Sequence, residues 1–277
     1  MSSNLNIGIM QGRLSPKINN KIQAFPYKYW KEEFRIASEN NFNSIEWIID
    51  DIKNPIMNKI GISEIEKLTS DYNIKINSIC CDIFMDNLLF RISYEEQKEN
   101  LKIMKKLIEN AHILGAKILE IPLVDSSSVK NETEEKQLIS NLDKVIQFAE
   151  TQRIKIGLET DFTPEKIIKL LDSFESNEIV LNYDTGNSAS LGYNSKEELK
   201  ILGKYIKNIH IKDRKLNGDT VPFGEGDVDF DLFFSSLREI NYQGDLILQG
   251  ARKINENPIE DCINYRDFVT KYIEKYF

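Results

Sequence analysis

The stretch "IVLNYDTGN" (179–187) closes an apolar run on Asp184, with Asn187 three residues on. A carboxylate at the tip of a buried strand is costly unless something cationic meets it. Other apolar runs carry acids in the same way: Glu46 in "SIEWII" (44–49), Glu120 in "KILEIPL" (117–123) and Glu159 in "KIGLET" (155–160). Asp82 follows "KINSICC" (75–81), and "NIHIKD" (208–213) holds His210, Lys212 and Asp213. Gln11 ends "NIGIMQ" (6–11) with Arg13 just after it, and Gln249 lies in "DLILQG" (245–250) with Arg252 just after that. Carboxylates, an amide oxygen and one imidazole together suit Mg²⁺ or Mn²⁺, and can also hold Zn²⁺ or Co²⁺. One such ion would supply the charge that Glu159 and Asp184 need. Arg13, Lys212 and Arg252 are placed to bind an anionic group, Arg through its planar fork and Lys as a point charge. Plainer roles stand beside these. Asp184 also suits the start of a turn, and Glu46 and Glu120 also suit interior positions paired with a Lys or Arg.

The elements that must position these side chains repeat one rhythm. A short run rich in Ile, Leu and Val is followed by a loop and then by a longer stretch with apolar residues three and four apart. Eight strand candidates result, the seven quoted above and "IVLNYD" (179–184). The helices between them are clearest from Tyr94 to Leu114, ahead of Gly115 as C-cap, and from Glu134 to Gln152. "TPEKIIKLLDSF" starts with Thr163 as N-cap and Pro164 at the first helical position, where a fixed φ suits the helix. The strands read as continuous apolar runs, which is the pattern of parallel strands buried on both faces. Eight βα units predict an α/β fold, a single (β/α)8 TIM barrel spanning 1–277 as one domain. In such a barrel the C-terminal ends of the strands build the site. That puts Gln11, Arg13, Glu46, Asp82, Glu120, Glu159, Asp184, Asn187, His210, Lys212, Asp213, Gln249 and Arg252 together. "GIMQGRLSP" lacks the G-x-G-x-x-G spacing of a dinucleotide site.

Composition narrows the partners. With 36 basic against 44 acidic residues the net charge is -8, which argues against a nucleic-acid partner, since that requires a basic face. Three cysteines, two of them adjacent and none in a C-x-x-C, argue against a disulfide framework and for a reducing cytoplasm. "MSSNLNIGIMQGR" lacks the basic and apolar regions of a signal peptide, and no apolar run reaches the ~18 residues of a membrane span.

At this point the chain resembles the xylose isomerase-like TIM barrels, a superfamily of sugar isomerases, sugar epimerases and apurinic endonucleases. The marks are "GLET" with Glu159, "NYDTGN" with Asp184, "HIKDR" with His210 and "PFGEGDVDF" (222–230), in that order. The resemblance implies one divalent metal, Mn²⁺ or Mg²⁺, held by Glu159, Asp184, His210 and the residue at 249. It implies a small sugar-like substrate and proton transfer through a metal-stabilised enediolate, with Glu159 as base. The epimerase branch has a final Glu where this chain has Gln249. An amide can give an oxygen to a metal but cannot accept a proton. Two-base epimerisation through 159 and 249 is thereby broken. Isomerisation by one base, a dehydratase-type elimination, or a second acid such as Glu120, Asp82 or Lys212 remain open, as does a non-catalytic sugar-binding barrel. The endonuclease branch uses several histidines, and only His112 and His210 occur here. The sequence leaves open whether the chain forms a homo-oligomer.

Overall fold

The computed structural model describes residues 5–19, 21–252 and 257–277. The first four residues, part of the segment read above for a leader, lie outside the described residues. Eight parallel strands close into a barrel: β1 (Asn6–Met10), β2 (Ser44–Ile48), β3 (Ser78–Cys80), β4 (Ile118–Leu123), β5 (Lys155–Thr160), β6 (Ile179–Asp184), β7 (Ile206–Ile211) and β8 (Asp245–Leu248). Around the barrel the order is β1-β8-β7-β6-β5-β4-β3-β2, so every strand pairs with its neighbours in sequence and β8 closes on β1. Helices follow the strands around the outside, as the alternating pattern predicts.

Several boundaries differ from the sequence-based expectation. β3 is only three residues long, with Lys75 reduced to a single bridge to Ser44. β7 starts two residues early, so Lys212 and Asp213 fall just beyond it. β8 stops at Leu248, so Gln249 also lies past the strand. The helix predicted at Tyr94 runs Tyr94–Ile113 and begins with a capping box between Ser93 and Glu96. Thr163 caps Pro164–Asp172 by accepting from the Lys166 N–H. "VDSSSVKNETEEK" opens as a short 3₁₀ turn (Asp125–Ser127), and Asn131 then caps the helix Glu132–Gln152.

The apolar core lies mainly between barrel and helices, where Trp47 sits fully buried against Phe25, Trp30 and Phe34. Trp47 donates its indole N–H to Asn54 at 3.0 Å. Inside the barrel the packing is mixed. Met10, Ile48, Cys80 and Ile247 form a small apolar cluster. Beside it Glu46, Ser78, Glu120, Asn208 and His210 are all buried. At the N-terminal end Asp245 closes the barrel, accepting from Asn6 at 3.1 Å and Ser44 at 3.1 Å. A barrel interior that stays polar upward from this plug is costly unless each group is paired or has a task. No described helix is long and apolar enough to cross a membrane.

Candidate metal centre and substrate cavity

The centre forms where β5, β6 and β7 end. Asp184 and His210 are register partners across β6 and β7. The register shifts between Leu181 and Asn182, a bulge-type irregularity of the kind that re-aims side chains at a sheet end. Glu159, Asp184 and His210 each offer a ligand atom, and these atoms lie within 4.8 Å of one another. His210 Nδ1 is 3.3 Å from Glu159 Oε2 and 3.9 Å from Asp184 Oδ2. His210 Nε2 lies 2.6 Å from Glu46 Oε1. The other oxygen of Glu46 accepts from Asn208 at 2.7 Å and from Ser78.

Glu46 therefore fixes the imidazole from behind and leaves Nδ1 facing the carboxylates. A carboxylate on the far nitrogen is the usual way a ligating histidine is oriented. Glu46 is fully buried and does not line the cavity. Both of its oxygens are engaged inside the barrel.

Glu159 is held from two sides. Its Oε1 accepts from Asn187 at 2.6 Å and its Oε2 from Asn182 at 3.1 Å. Burial alone would raise this carboxyl, but the hydrogen bond and charge of His210, with the charge of Lys212, bring it down to about 2. Burial would lower His210, yet Glu46 and Glu159 together hold it well above its ordinary value. Lys212 Nζ lies 2.9 Å from Asp184 Oδ2, and this ammonium faces the carboxylate at the end of β6. The lysine stem crosses Gly186, where a Cβ would lie 2.7 Å from Lys212 Cγ. Glycine at 186 is what allows that approach.

Glu120 is the outlier. It is fully buried, and neither of its oxygens has a hydrogen-bond partner among the described residues. Burial and then the charge of Glu159 raise its carboxyl well above the usual range. Gln249 donates from Nε2 to Gln23 at 2.8 Å, while its Oε1 is buried and unpartnered. That orphaned oxygen is an atom that an amide can offer to a metal.

Above these groups lies a cavity of about 1140 Å³. Of the residues expected from sequence, Arg13, Asp82, Glu120, Glu159, Asn187, Lys212 and Gln249 line it. Gln11, Asp213 and Arg252 do not. Gln11 accepts from the Ile48 N–H at 3.1 Å. Asp213 accepts from the N–H groups of Gly224, Gly226 and Val228, so it moulds the 222–230 loop. Arg252 donates to the carbonyls of Gly12 and Ser15. Asp213 and Arg252 thus hold loops around the cavity, while the Gln11 Nε2 has no partner among the described residues.

Sequence reasoning missed Gln23, Asn182, Asn208 and Arg214. Asn182 and Asn208 stand two residues before Asp184 and His210, on the same strand face, so alternation could have found them. Gln23 lies in the long segment after β1, which has no repeating pattern. It donates to Asp82 at 2.7 Å and accepts from Gln249, linking opposite walls of the cavity.

The loop after β1 also carries a pH dependence. Buried Glu33 accepts from the Gly12 N–H at 2.9 Å and from Ser15 Oγ at 2.8 Å. Burial outweighs these bonds and raises its carboxyl from 4.5 to about 7. Between those values the folded chain keeps a proton that the unfolded chain releases. Stability is therefore greatest below pH 4.5 as far as this group goes, and falls as pH rises towards 7. The loss is of order 3 kcal/mol when complete. Glu33→Gln is expected to flatten this part of the profile, read by urea unfolding between pH 5 and 8. An unchanged slope would remove Glu33 as its source.

The fold and the centre define a class: a parallel (β/α)8 barrel with a carboxylate–imidazole cluster and a cavity at the C-terminal ends of its strands. The chain belongs to the xylose isomerase-like TIM barrel family, whose model matches residues 34–263. Among known proteins it is 22% identical to the L-ribulose-5-phosphate 3-epimerase UlaE of Shigella flexneri serotype 5b, over 89% of this chain and 90% of that protein. It is 29% identical to the inosose dehydratase of Clostridium perfringens (strain ATCC 13124), a match that spans 54% of this chain and 59% of the dehydratase. In fold it is similar to the crystal structure of the IOLI protein with a binding zinc atom, at a TM-score of 0.78 and 18% identity, over 98% of this chain and 99% of that one.

Proposed function

We propose that this chain is a divalent-metal-dependent sugar isomerase or epimerase, acting on a sugar, sugar acid or sugar phosphate by proton transfer at a carbon next to a carbonyl. The observation that carries the reading is the convergence of Glu159, Asp184 and His210, whose ligand atoms lie within 4.8 Å of one another, beside a large cavity lined by Glu159 and by Gln249 with its unpartnered Oε1. The match to an epimerase along nearly the whole chain supports it. Glu159, Asp184, His210 and Gln249 would hold the ion, and their mostly oxygen character favours Mn²⁺ or Mg²⁺ over Zn²⁺ or Co²⁺. When bound, a divalent ion acidifies a C–H beside a carbonyl and offsets the negative charge of the enediolate.

The remaining work falls to the chain. Glu159, oriented by Asn182 and Asn187, takes the proton from carbon. Glu120, on the neighbouring strand and with its carboxyl raised by burial and by the charge of Glu159, is the group able to return one. Arg13, Asp82, Asn187 and Lys212 face the cavity and bind substrate oxygens. Gln11, Glu46, Asp213 and Arg252 hold the framework in place. A second reading, a dehydratase-type lyase on a polyol or inosose, is favoured by the amide at 249 and by Asp82. Burial lifts the Asp82 carboxyl to about 6 against its hydrogen bonds from Gln23 and Cys80, which suits an acid that protonates a leaving hydroxyl. The same proposal includes one domain over 1–277, a small-molecule partner rather than nucleic acid, and a reducing cytoplasm suited to the buried free thiols of Cys80, Cys81 and Cys262.

The test is proton exchange from deuterated water into aldoses, ketoses, their phosphates and inososes, followed by NMR before and after chelation and reloading with Mn²⁺. Metal-dependent C–H exchange is the expected result. Metal binding without exchange into any of these sugars would leave a sugar-binding barrel instead. Exchange that survives full chelation would remove the metal from the mechanism.

A further inference from the structure

Arg214 lines the cavity together with Glu159 and Asn187. Its backbone belongs to a two-stranded hairpin in which Asp213–Arg214 pairs with Thr220–Val221. The hairpin is anchored on two sides. The Arg214 carbonyl accepts the Asp227 N–H at 2.8 Å. The Asn217 N–H reaches the Ser190 carbonyl at 2.8 Å, at the end of the short helix Thr185–Ser190. That helix carries Asn187, whose own N–H is fixed on Asp184 Oδ1 at 2.8 Å.

With its backbone held, Asn187 has only its amide left to orient. Nδ2 donates to Glu159 Oε1 at 2.6 Å, and Oδ1 accepts from Arg214 Nη1 at 2.9 Å. A carboxylate only accepts and a guanidinium only donates. With one at each end, a single orientation of the amide satisfies both. The reversed amide would set its oxygen against Glu159 and its NH₂ against the guanidinium, and both hydrogen bonds would be lost. Arg214 is itself fixed for this contact. Its Nε and Nη2 both donate to the Gly218 carbonyl, at 3.1 Å and 2.9 Å. That sets the plane of the fork and aims Nη1 at Asn187. Asn182, on the other oxygen of Glu159, has no donor behind it: its Oδ1 is buried and without a partner among the described residues.

We propose that Arg214 is a positioning residue for Glu159 and acts through Asn187, its guanidinium locking the amide so that the NH₂ faces the carboxylate. The inference rests on Glu159 as the base of the proposed reaction. Without the lock the amide turns over, and for part of the time Glu159 meets an oxygen in place of a donor.

The test compares Arg214→Met, Asn187→Ala and the double variant with the wild type, each as the whole Mn²⁺-loaded protein. C–H exchange into any sugar that reacts gives kcat and KM. Arg214→Met is expected to lower kcat by about 10–10²-fold, the cost of a misplaced reacting group, with KM unchanged within about twofold. The double variant should match Asn187→Ala in kcat, because a residue that acts only through Asn187 has nothing further to lose. A raised KM at unchanged kcat makes Arg214 a substrate contact, and losses that multiply in the double variant make the two residues independent. Either result overturns the proposal.

A second readout needs neither reaction nor metal. Heteronuclear NMR of the metal-free protein follows the Asn187 side-chain amide pair, identified by its absence from Asn187→Ala. In the wild type this pair is expected to exchange slowly with solvent, and in Arg214→Met about tenfold or more faster, as a freed amide does. An unchanged pair overturns the proposal. So does a wild-type pair that exchanges as fast as exposed amides, a result that requires no Arg214 variant to fold. If no sugar exchanges in any form of the protein, the proposed function fails, and the amide readout alone decides whether Arg214 orients Asn187.

Discussion

Glu159→Gln is expected to lower the rate of C–H exchange by about 10²–10⁴-fold, the usual contribution of a positioned general base. The substitution is nearly isosteric. Glu159 accepts from Asn187 through one oxygen and from Asn182 through the other, so Gln keeps one acceptor and sets an NH₂ group against one of two amide donors. The side chain remains near its place while its basicity is gone. A carboxamide oxygen can still face a cation, so most of the metal affinity should persist. The two measurements separate the roles: exchange by NMR in deuterated water, and metal content after gel filtration. A variant that exchanges at the wild-type rate would show that Glu159 is not the base. One that loses exchange and metal together would show it to be chiefly a ligand.

The second large effect is expected at a residue that never reaches the cavity. Glu46→Gln should weaken divalent-metal affinity by about 10–100-fold, the usual cost of removing the group that orients a ligating histidine. Glu46 accepts from His210 at one oxygen, and from Asn208 and Ser78 at the other. Gln offers only one acceptor, so its NH₂ must face either His210 or the Asn208 amide, and both of these donate. The imidazole loses its single orientation. Calorimetric titration with Mn²⁺ gives the affinity, and circular dichroism confirms that the barrel is intact. Wild-type affinity in a folded Glu46→Gln protein would make the Glu46–His210 contact a packing feature only. Removal of the side chain altogether, as in Glu46→Ala, is expected to cost stability as well, of order 3–5 kcal/mol for an unpaired buried charge.

The legible part of the centre was the part carried by strands. Asp184 and His210 end apolar runs, and parallel strands bring such ends together at one rim. Their partners Asn182 and Asn208 were within reach by alternation but carried no charge to draw attention. Asp213 and Arg252 could be placed near the rim but not aimed. Nothing in "HIKDR" distinguishes a side chain that faces the cavity, such as Lys212, from one that turns to three loop N–H groups, such as Asp213. Gln23 was invisible, because its segment has neither helical nor strand period and is positioned only by contacts with Asp82 and Gln249.

The sequence by itself determined the (β/α)8 architecture, the family and the identity of the clustered acids, because periodicity and chain order dictate which residues reach the C-terminal rim. The tertiary structure alone decided which acids stand behind the histidine and which face the cavity. Glu46 and Glu120 occupy equivalent places in the pattern of their strands. One is satisfied by His210, Asn208 and Ser78, while the other is left buried and without a hydrogen-bond partner among the described residues. That difference arises from residues brought together across the closed barrel from strands distant in the chain, and no local pattern records it.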